Sequence, residues 1–204
     1  MKEFWNNRYK IEDSAYGYGP NAYFKKQLSK LAPDKILLPA EGEGRNAVFA
    51  SKIGWEVSAF DMSEQGKIKA EILAQKNGVS MDYQIGEFEE LEYEQEYFGA
   101  IGLIYAHFKA ELKSKYHKTL DRYLRKGGVV IFEAFSKYNL ELVNQSKNKN
   151  GPKNIDALFS IDEIKSDFRN YEIIELKEET IELNEGLYHK GLSSIIRFVG
   201  KKKE

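Results

Sequence analysis

Short apolar runs alternate with longer amphipathic stretches up to residue 135. The apolar runs predict buried strands at residues 35–39, 55–60, 82–85, 100–105 and 129–135. The amphipathic stretches between them predict helices at residues 45–53, 64–77 and 109–125. In the second helix Ser63 is the expected N-cap, and Ile68, Ile72 and Leu73 fall on one face. Alternating strands and helices indicate right-handed crossovers and a parallel sheet covered on both faces, so the predicted class is a doubly wound α/β fold.

The pattern changes after residue 135. Residues 136–154 are polar and rich in Asn and Lys, which predicts a mobile loop or lid. A helix is predicted at 161–168, and strands are predicted at 171–178 and 192–199. The connection between these strands carries Asn184-Glu185-Gly186 and lacks helical periodicity, whereas a parallel connection needs a crossover that is usually helical. We therefore expect a mixed sheet with one antiparallel strand near its end.

Composition narrows the possible chemistry. The chain has no cysteine, which excludes a disulfide framework, a thiolate zinc site and a cysteine nucleophile. Lysine and arginine number 31 against 32 aspartates and glutamates, so the net charge of −1 argues against wholesale binding to nucleic acid or anionic membranes. Three scattered histidines without a thiol give no credible metal site. The apolar runs are too short to span a bilayer and the amino terminus lacks a secretory signal, so we expect a cytoplasmic protein.

The loop after the first predicted strand is the first candidate for chemistry, because ligands of open parallel sheets bind at the carboxyl ends of the strands. Gly42 and Gly44 allow a tight turn and a close approach of a ligand to the backbone. The turn departs from G-x-G-x-x-G at Ala47 and lacks a Walker lysine. Its carboxylates, Glu41 and Glu43, would repel a pyrophosphate but suit a cationic ligand or one that offers hydroxyl groups.

The loops after the next three strands each hold a further candidate. Asp61 lies 19 residues after Gly42, a spacing typical of an acid that binds ribose hydroxyls, although Asp61 could also cap the helix that follows. Glu87 could accept a hydrogen bond from the exocyclic amine of an adenine, and the ring of Phe88 could flank the base. Alternatively, the acidic run that begins here is only a solvated surface. His107 is a candidate general base or orienting group, with a structural histidine as the alternative.

Together these residues resemble the class I S-adenosylmethionine-dependent methyltransferases. Residues 37–47 are similar to the first motif of that family in its acidic-Gly-x-Gly-Arg-Asn variant, and residues 57–63 are similar to the second. The segments 4–9, 16–21 and 184–191 resemble the tellurite-resistance and thiopurine methyltransferase-like subgroup. The resemblance implies a seven-stranded sheet, S-adenosylmethionine as the cofactor, and an amino-terminal segment that folds over it.

The resemblance and the loop positions together predict a set of site residues. Those expected to bind the cofactor are Arg8, Glu41, Gly42, Glu43, Gly44, Arg45, Asn46, Asp61, Met62, Gly86, Glu87, Phe88 and Tyr105. Within this set, a carboxylate of the glycine turn would face the ammonium group of the methionine part, Asp61 would bind the ribose, and Arg8 would pair with the methionine carboxylate. His107 is the expected base or orienting group, and His189 is the second catalytic candidate. His117 is expected to be a surface or packing residue.

The same resemblance organises the chain as one methyltransferase domain. Residues 1–33 would form a helical flap, 34–135 the cofactor-binding core, 136–159 a lid loop, and 160–204 a terminal helix and hairpin. The end of the fourth strand lacks the Asn/Asp-Pro-Pro-Tyr motif of enzymes that methylate nucleic acids, so the expected partner is a small molecule with a sulfur, selenium, oxygen or nitrogen nucleophile.

Two alternatives stay open from the sequence, and so do the identity of the acceptor and the oligomeric state. A non-catalytic S-adenosylmethionine-binding protein would share all the features above. A NAD(P)-dependent oxidoreductase would share the first strand, its turn and Asp61, but it predicts an all-parallel sheet and a complete glycine fingerprint.

Overall fold

Seven strands form a single mixed sheet in the computed structural model, which describes residues 1–145 and 150–204. The strands are β1 (Lys35–Pro39), β2 (Glu56–Asp61), β3 (Asp82–Ile85), β4 (Phe98–Ile104), β5 (Leu124–Phe135), β6 (Tyr171–Glu185) and β7 (His189–Lys202). Their order is β3-β2-β1-β4-β5-β7-β6. The strands β1 to β5 pair in parallel, whereas β7 runs antiparallel to both β5 and β6. This confirms the predicted doubly wound, mostly parallel sheet and contradicts the all-parallel sheet of the oxidoreductase alternative.

Helices cover both faces of the sheet. The described helices are α1 (Lys2–Tyr9), α2 (Ala22–Leu28), α3 (Arg45–Lys52), α4 (Glu64–Asn77), α5 (Lys113–Tyr123), α6 (Asn139–Gln145) and α7 (Ile161–Asp167). Side chains of α2 and α3 pack into one apolar cluster, and side chains of α5 and α7 pack into a second cluster. The predicted bounds of α3, α4 and α7 agree with the structure to within one residue, because their caps at Gly44, Ser63 and Ser160 are readable in the sequence.

The apolar face predicted for α4 does not pack into the core. Ile68 and Ile72 are 48% and 46% exposed, whereas the buried residues of this helix are Gly66, Ala70 and Ala74. The reason is a close approach between α4 and the glycine turn. A Cβ atom on Gly66 would lie only 2.9 Å from the carbonyl oxygen of Gly42. Small residues at every fourth position therefore mark the buried side of α4.

The terminal hairpin is longer than predicted. The strands β6 and β7 span 15 and 14 residues, and the Asn184-Glu185 segment expected in a loop is the end of β6. Because β5 pairs with β7 only as far as Ile195, the tip of the hairpin projects past the carboxyl edge of the parallel strands. There the backbone N–H groups of Leu187 and Tyr188 donate to the carbonyl oxygen of Ala15, at 2.9 and 3.2 Å.

The segment predicted as a mobile loop contains ordered elements. The helix α6 lies within it, and a short 3₁₀ turn at Ile155–Ala157 follows it inside the predicted lid 136–159; residues 146–149 lie outside the described residues. Asn139 is fully buried, and its side chain donates to the carbonyl oxygen of Asn150 and accepts from the N–H of Ser194. The polar residues that suggested a loose segment therefore bond this segment to β7.

We expect Gly44→Ala to destabilise the protein more than Gly78→Ala. Both glycines have a left-handed backbone, with φ of +79° and +66°. A Cβ on Gly44 would lie 2.5 Å from the Cβ of Ala70, whereas a Cβ on Gly78 meets no atom within 4 Å. Gly78→Ala therefore adds backbone strain alone, about 1 kcal/mol, and Gly44→Ala adds overpacking, for a total of about 2–5 kcal/mol. Urea denaturation of both variants measures the difference, and equal losses would contradict the close packing of α3 against α4.

Candidate active site

A cavity opens at the carboxyl ends of β1, β2 and β4, below α1 and the hairpin tip. The empty volume of the cavity, including the solvent at its open mouth, is about 970 Å³. Most of the predicted site residues line it: Glu41, Glu43, Arg45, Asn46, Asp61, Met62, Gly86, Glu87, Phe88, Tyr105, His107 and His189. Residues from four separate loops and from the hairpin therefore meet in one place.

Gly42, Gly44 and Arg8 are the predicted site residues that do not line this cavity. The two glycines shape the turn instead, and a Cβ on Gly42 would overlap the hydroxyl oxygen of Tyr9. The guanidinium of Arg8 lies 3.7 Å from the centre of the Tyr188 ring and donates to the hydroxyl of Tyr16 at 3.1 Å. Arg8 therefore joins α1 to the hairpin tip above the cavity. Its predicted role at a methionine carboxylate stays a prediction.

Glu41 caps the helix α3. One of its carboxylate oxygens accepts from the backbone N–H groups of Asn46 and Ala47, at 2.7 and 2.8 Å. A carboxylate at a helix N-terminus is favoured by the helix dipole and by the unpaired N–H groups there. Although Glu41 borders the cavity, burial of its carboxyl group raises its pKa to about 7, against the opposing effect of these hydrogen bonds. Its predicted contact with an ammonium group would be an addition to this structural role.

Asp61 joins the end of β2 to the glycine turn. Its two carboxylate oxygens accept from the N–H of Gly42 at 3.0 Å and from the N–H of Ser63 at 2.8 Å. The side chain is buried, and this burial raises the pKa of Asp61 to about 6. The capping alternative for Asp61 is therefore realised in the structure. A carboxylate can accept about four hydrogen bonds, so Asp61 keeps capacity for the hydroxyl groups of a ligand.

Glu43 holds the amino-terminal segment against the turn. Its Oε2 atom accepts from the hydroxyl of Ser14 and from the N–H of Ala15, both at 2.8 Å. Its Oε1 atom lies 3.0 Å from the Nζ atom of Lys69 on α4. Glu43 is buried, so these partners offset the cost of removing its charge from water.

Arg45 and Asn46 continue the same connection. Arg45 donates to the carbonyl oxygen of Tyr16 at 3.0 Å, and its other terminal nitrogen lies 2.8 Å from Glu185 on the hairpin. The side-chain oxygen of Asn46 accepts from the N–H of Asn21 at 2.9 Å. The motif that was predicted to bind a cofactor therefore also holds the amino-terminal segment over the cavity by hydrogen bonds. The spacing of residues within the motif does not predict this second role.

The far wall of the cavity is aromatic. Phe88 stacks on Tyr116 with ring centres 4.3 Å apart, and it also packs 5.9 Å from Phe60. Glu87 is exposed and caps the 3₁₀ turn that begins at Phe88. Phe88 thus provides a flat apolar surface, while Glu87 lies at the rim.

Three aromatic residues of the amino-terminal segment line the cavity and were not among the predicted site residues: Trp5, Tyr9 and Tyr16. The indole of Trp5 stacks between the rings of Tyr9 and His107, at 5.5 and 5.9 Å. The available signal was the spacing of four between Trp5 and Tyr9, which puts two aromatic side chains on one face of a helix whose other residues, apart from Phe4, are polar.

The two candidate histidines differ in their surroundings. Burial, assisted by His189 and Arg8, lowers the pKa of His107 to about 4, so this ring stays neutral near pH 7. Burial also lowers the pKa of His189, but the carboxylate of Glu185, 3.4 Å from its Nδ1 atom, opposes that shift. Of the two histidines, His189 is therefore better placed to accept a proton, because the Glu185 carboxylate favours its protonated form.

His117 lies away from the cavity lining, as its predicted packing role implies. Its side chain is fully buried, and Nδ1 lies 2.7 Å from the carboxylate of Asp167 on α7. This contact ties α5 to α7.

Over residues 1–145 and 150–204, no group of three or more His, Cys, Asp or Glu side chains is placed to hold a metal ion. In the same part of the chain, no helix has the length and apolar character that a bilayer crossing requires.

We expect Glu41→Gln to gain stability relative to the natural protein as the pH rises from 5 to 8. A carboxyl group whose folded pKa is raised stabilises the fold below its unfolded pKa, and this contribution is lost as the pH rises through the folded value of about 7. The amide oxygen of Gln can still accept both helix N–H groups without carrying a charge. Urea denaturation at pH 5 and pH 8 should show a relative gain of about 1–3 kcal/mol. A pH-independent difference would mean that Glu41 is not destabilised by burial.

Comparisons with known proteins agree with this fold. A family model described as a methyltransferase domain matches residues 38–132. No curated protein sequence matches the chain significantly. The solved structures with a similar fold include TehB from Haemophilus influenzae, which is 15% identical with a TM-score of 0.73 over 99% of this chain and 67% of that protein.

Two more solved structures have the same fold. A protein studied for the conversion of a disulfide bond into a thioacetal group during echinomycin biosynthesis is 17% identical, with a TM-score of 0.73 over 100% of this chain and 92% of its own. An S-adenosylmethionine-dependent methyltransferase from Methanosarcina mazei is 16% identical, with a TM-score of 0.68 over 91% of this chain and 100% of its own. The family model thus covers just under half of the chain, and the solved structures, at 15–17% identity, show that the chain shares their fold.

Proposed function

We propose that this protein transfers the methyl group of S-adenosylmethionine to a small-molecule nucleophile within the cavity described above. The observation that carries the proposal is the meeting of the glycine turn, Asp61 and Phe88 in one cavity below α1 and the hairpin tip. The cover formed by α1 and the hairpin favours a small acceptor over a nucleic acid, and the net charge of −1 agrees with that. We further propose a place in the tellurite-resistance and thiopurine methyltransferase-like subgroup and a cytoplasmic location, both suggested by the sequence.

The cavity fits the cofactor in the distribution of its polar and aromatic groups. Asp61 has hydrogen-bonding capacity left for ribose hydroxyls, Phe88 offers a flat face to adenine, and the turn 41–46 would hold the methionine part. Trp5 and Tyr9 add ring faces, which attract cations. When bound, S-adenosylmethionine supplies an electrophilic methyl group attached to a sulfonium.

The residues of the chain would contribute by orientation, exclusion of water and proton transfer. The aromatic residues of α1 cover the cavity, and a dry, well-aligned site accelerates a displacement of this kind. His189 is the proposed proton acceptor, because its Nδ1 atom is directed to Glu185 and its Nε2 atom is then free to accept the proton that the acceptor molecule loses. His107, held neutral in the stack with Trp5, is proposed to orient the reactants.

The parts of the domain would divide the work as the sequence suggested. We propose residues 1–33 as the flap, 34–135 as the cofactor-binding core, 136–159 as the lid and 160–204 as the helix and hairpin that complete the acceptor side. The bonds of Glu43, Arg45 and Asn46 to the segment 14–21 support the flap assignment.

The first test of the proposal is cofactor binding. S-adenosylmethionine at about 100 times its dissociation constant should stabilise the protein by about 2.7 kcal/mol, which for a chain of this size raises the melting temperature by about 5–10 °C. The demethylated product should also give a shift, and NAD should give none. A shift with NAD and none with S-adenosylmethionine would sink the proposed function.

The second test separates the two histidines. We expect His189→Ala to lower kcat about 10²–10⁴-fold, the usual range for loss of a general base, and His107→Ala to lower it less. Release of S-adenosylhomocysteine would be followed with a thiol, a phenol and a primary amine as acceptors. A larger loss for His107→Ala would reverse the two assignments. Binding of S-adenosylmethionine without turnover of any acceptor would favour the non-catalytic alternative.

A further inference from the structure

We infer that Glu185 is a positioning residue that fixes the tautomer and orientation of His189, and thereby directs the Nε2 atom of His189 into the cavity. This inference rests on the proposed function, since it assigns Glu185 a role through the proposed proton acceptor. It begins from the hairpin, which places Glu185 at the last position of β6 and His189 at the first position of β7, directly opposite each other.

The carboxylate of Glu185 is held by groups from three parts of the chain. Its Oε2 atom lies 2.8 Å from a terminal nitrogen of Arg45 and 3.4 Å from the Nδ1 atom of His189. Its Oε1 atom accepts from the side-chain amide of Asn21 at 3.2 Å. The side chain of Glu185 is only 16% exposed, so it has little freedom to leave these partners.

The ring of His189 is confined by aromatic neighbours. The rings of Tyr16 and Tyr105 lie 4.5 Å from it, centre to centre, and the ring of Phe135 lies 5.4 Å away. The imidazole therefore cannot turn freely. In a neutral imidazole one nitrogen donates and the other accepts, and the carboxylate of Glu185 can only accept. The proton is thus expected on Nδ1, which leaves Nε2 as the acceptor on the cavity side.

A further polar group lies beside His189, on Tyr105. Tyr105 lines the cavity beside His189, and its buried hydroxyl has no hydrogen-bond partner in the part of the chain that the structure describes. The Glu133 carboxylate is close enough to raise the pKa of this hydroxyl together with burial, but does not meet hydrogen-bond geometry. Buried polar groups are usually paired, so the Tyr105 hydroxyl is an unusual polar group beside the ring of His189.

Charged groups on several elements act on His189. Glu185 raises its pKa, while Arg45 on α3 and Arg8 on α1 lower it, and His107 is close enough for its own pKa to be lowered by His189. Arg45 and His189 keep the pKa of Glu185 low, at about 2, so its carboxylate is ionised at any working pH. Removing that charge should therefore lower the pKa of His189 further.

The test uses the small number of histidines in the chain. Only His107, His117 and His189 are present, so protein labelled with ¹⁵N-histidine gives few signals, which single substitutions of each histidine assign. In the natural protein we expect His189 to be the Nδ1–H tautomer. In Glu185→Gln we expect the pKa of His189 to fall by about one pH unit and the tautomer populations to change. His117, paired with Asp167, is the internal reference.

Glu179→Gln is the matched control. Glu179 is on the same strand, it pairs with Lys177 and Arg197, and it does not line the cavity. This variant should leave the His189 signals unchanged. An Nε2–H tautomer in the natural protein would overturn the inference, and so would an unchanged His189 titration in Glu185→Gln. The tautomer is measured in the natural protein, so that test does not depend on the folding of a variant.

Calorimetry on the same samples separates this inference from the proposed function. If the natural protein does not bind S-adenosylmethionine, the proposed function fails whatever the histidine signals show. If it binds and the signals of His189 do not respond to Glu185→Gln, the positioning role alone fails. Binding, together with the expected tautomer and the shifted titration, supports both.

Discussion

The site depends on the need of buried carboxylates for partners. Glu41, Glu43, Asp61 and Glu185 all lie at the carboxyl edge of the sheet, where loss of hydration makes an unpaired charge costly. Their partners come from the start of α3, the glycine turn, the segment 14–21 and the hairpin. Satisfying these charges therefore brings four separate parts of the chain together, and the cavity is the space left between them.

This arrangement explains how the carboxylates of an acidic turn can stabilise the fold and still have hydrogen-bonding capacity for a cationic cofactor. Glu41 and Asp61 spend part of their hydrogen-bonding capacity on backbone N–H groups, and a carboxylate can accept about four such bonds. Their raised pKa values reflect the cost of burial, which a bound cation or hydroxyl group would reduce. Binding of the proposed cofactor would therefore be favoured, because it would reduce the free-energy cost of burying these carboxyl groups.

The core of the fold was predictable because its signals are local. Five strands, the caps of α3 and α4, and the antiparallel end of the sheet follow from apolar periodicity and from the length of connections. The hairpin was underestimated because the consecutive charged residues Lys177, Glu178 and Glu179 interrupt the apolar pattern of β6, most of which is exposed or half-buried. The face of α4 was misjudged because Ala70 and Ala74, rather than Ile68, pack inward. The loops that meet in the cavity were predictable from strand order, but partners such as Ser14 for Glu43 depend on contacts distant in sequence.

Hydrogen exchange of the backbone amides, with and without S-adenosylmethionine, tests most directly whether this cavity is the cofactor site. The account predicts slower exchange on binding in the turn 41–46, in the loops at 61–63 and 86–88, and in α1 with the segment that follows it, because the ligand would lie between these parts. Slower exchange confined to another surface, such as the groove that Trp55, Asp82 and Tyr97 line beside β3, would contradict the account. So would a bound ligand that leaves α1 unprotected.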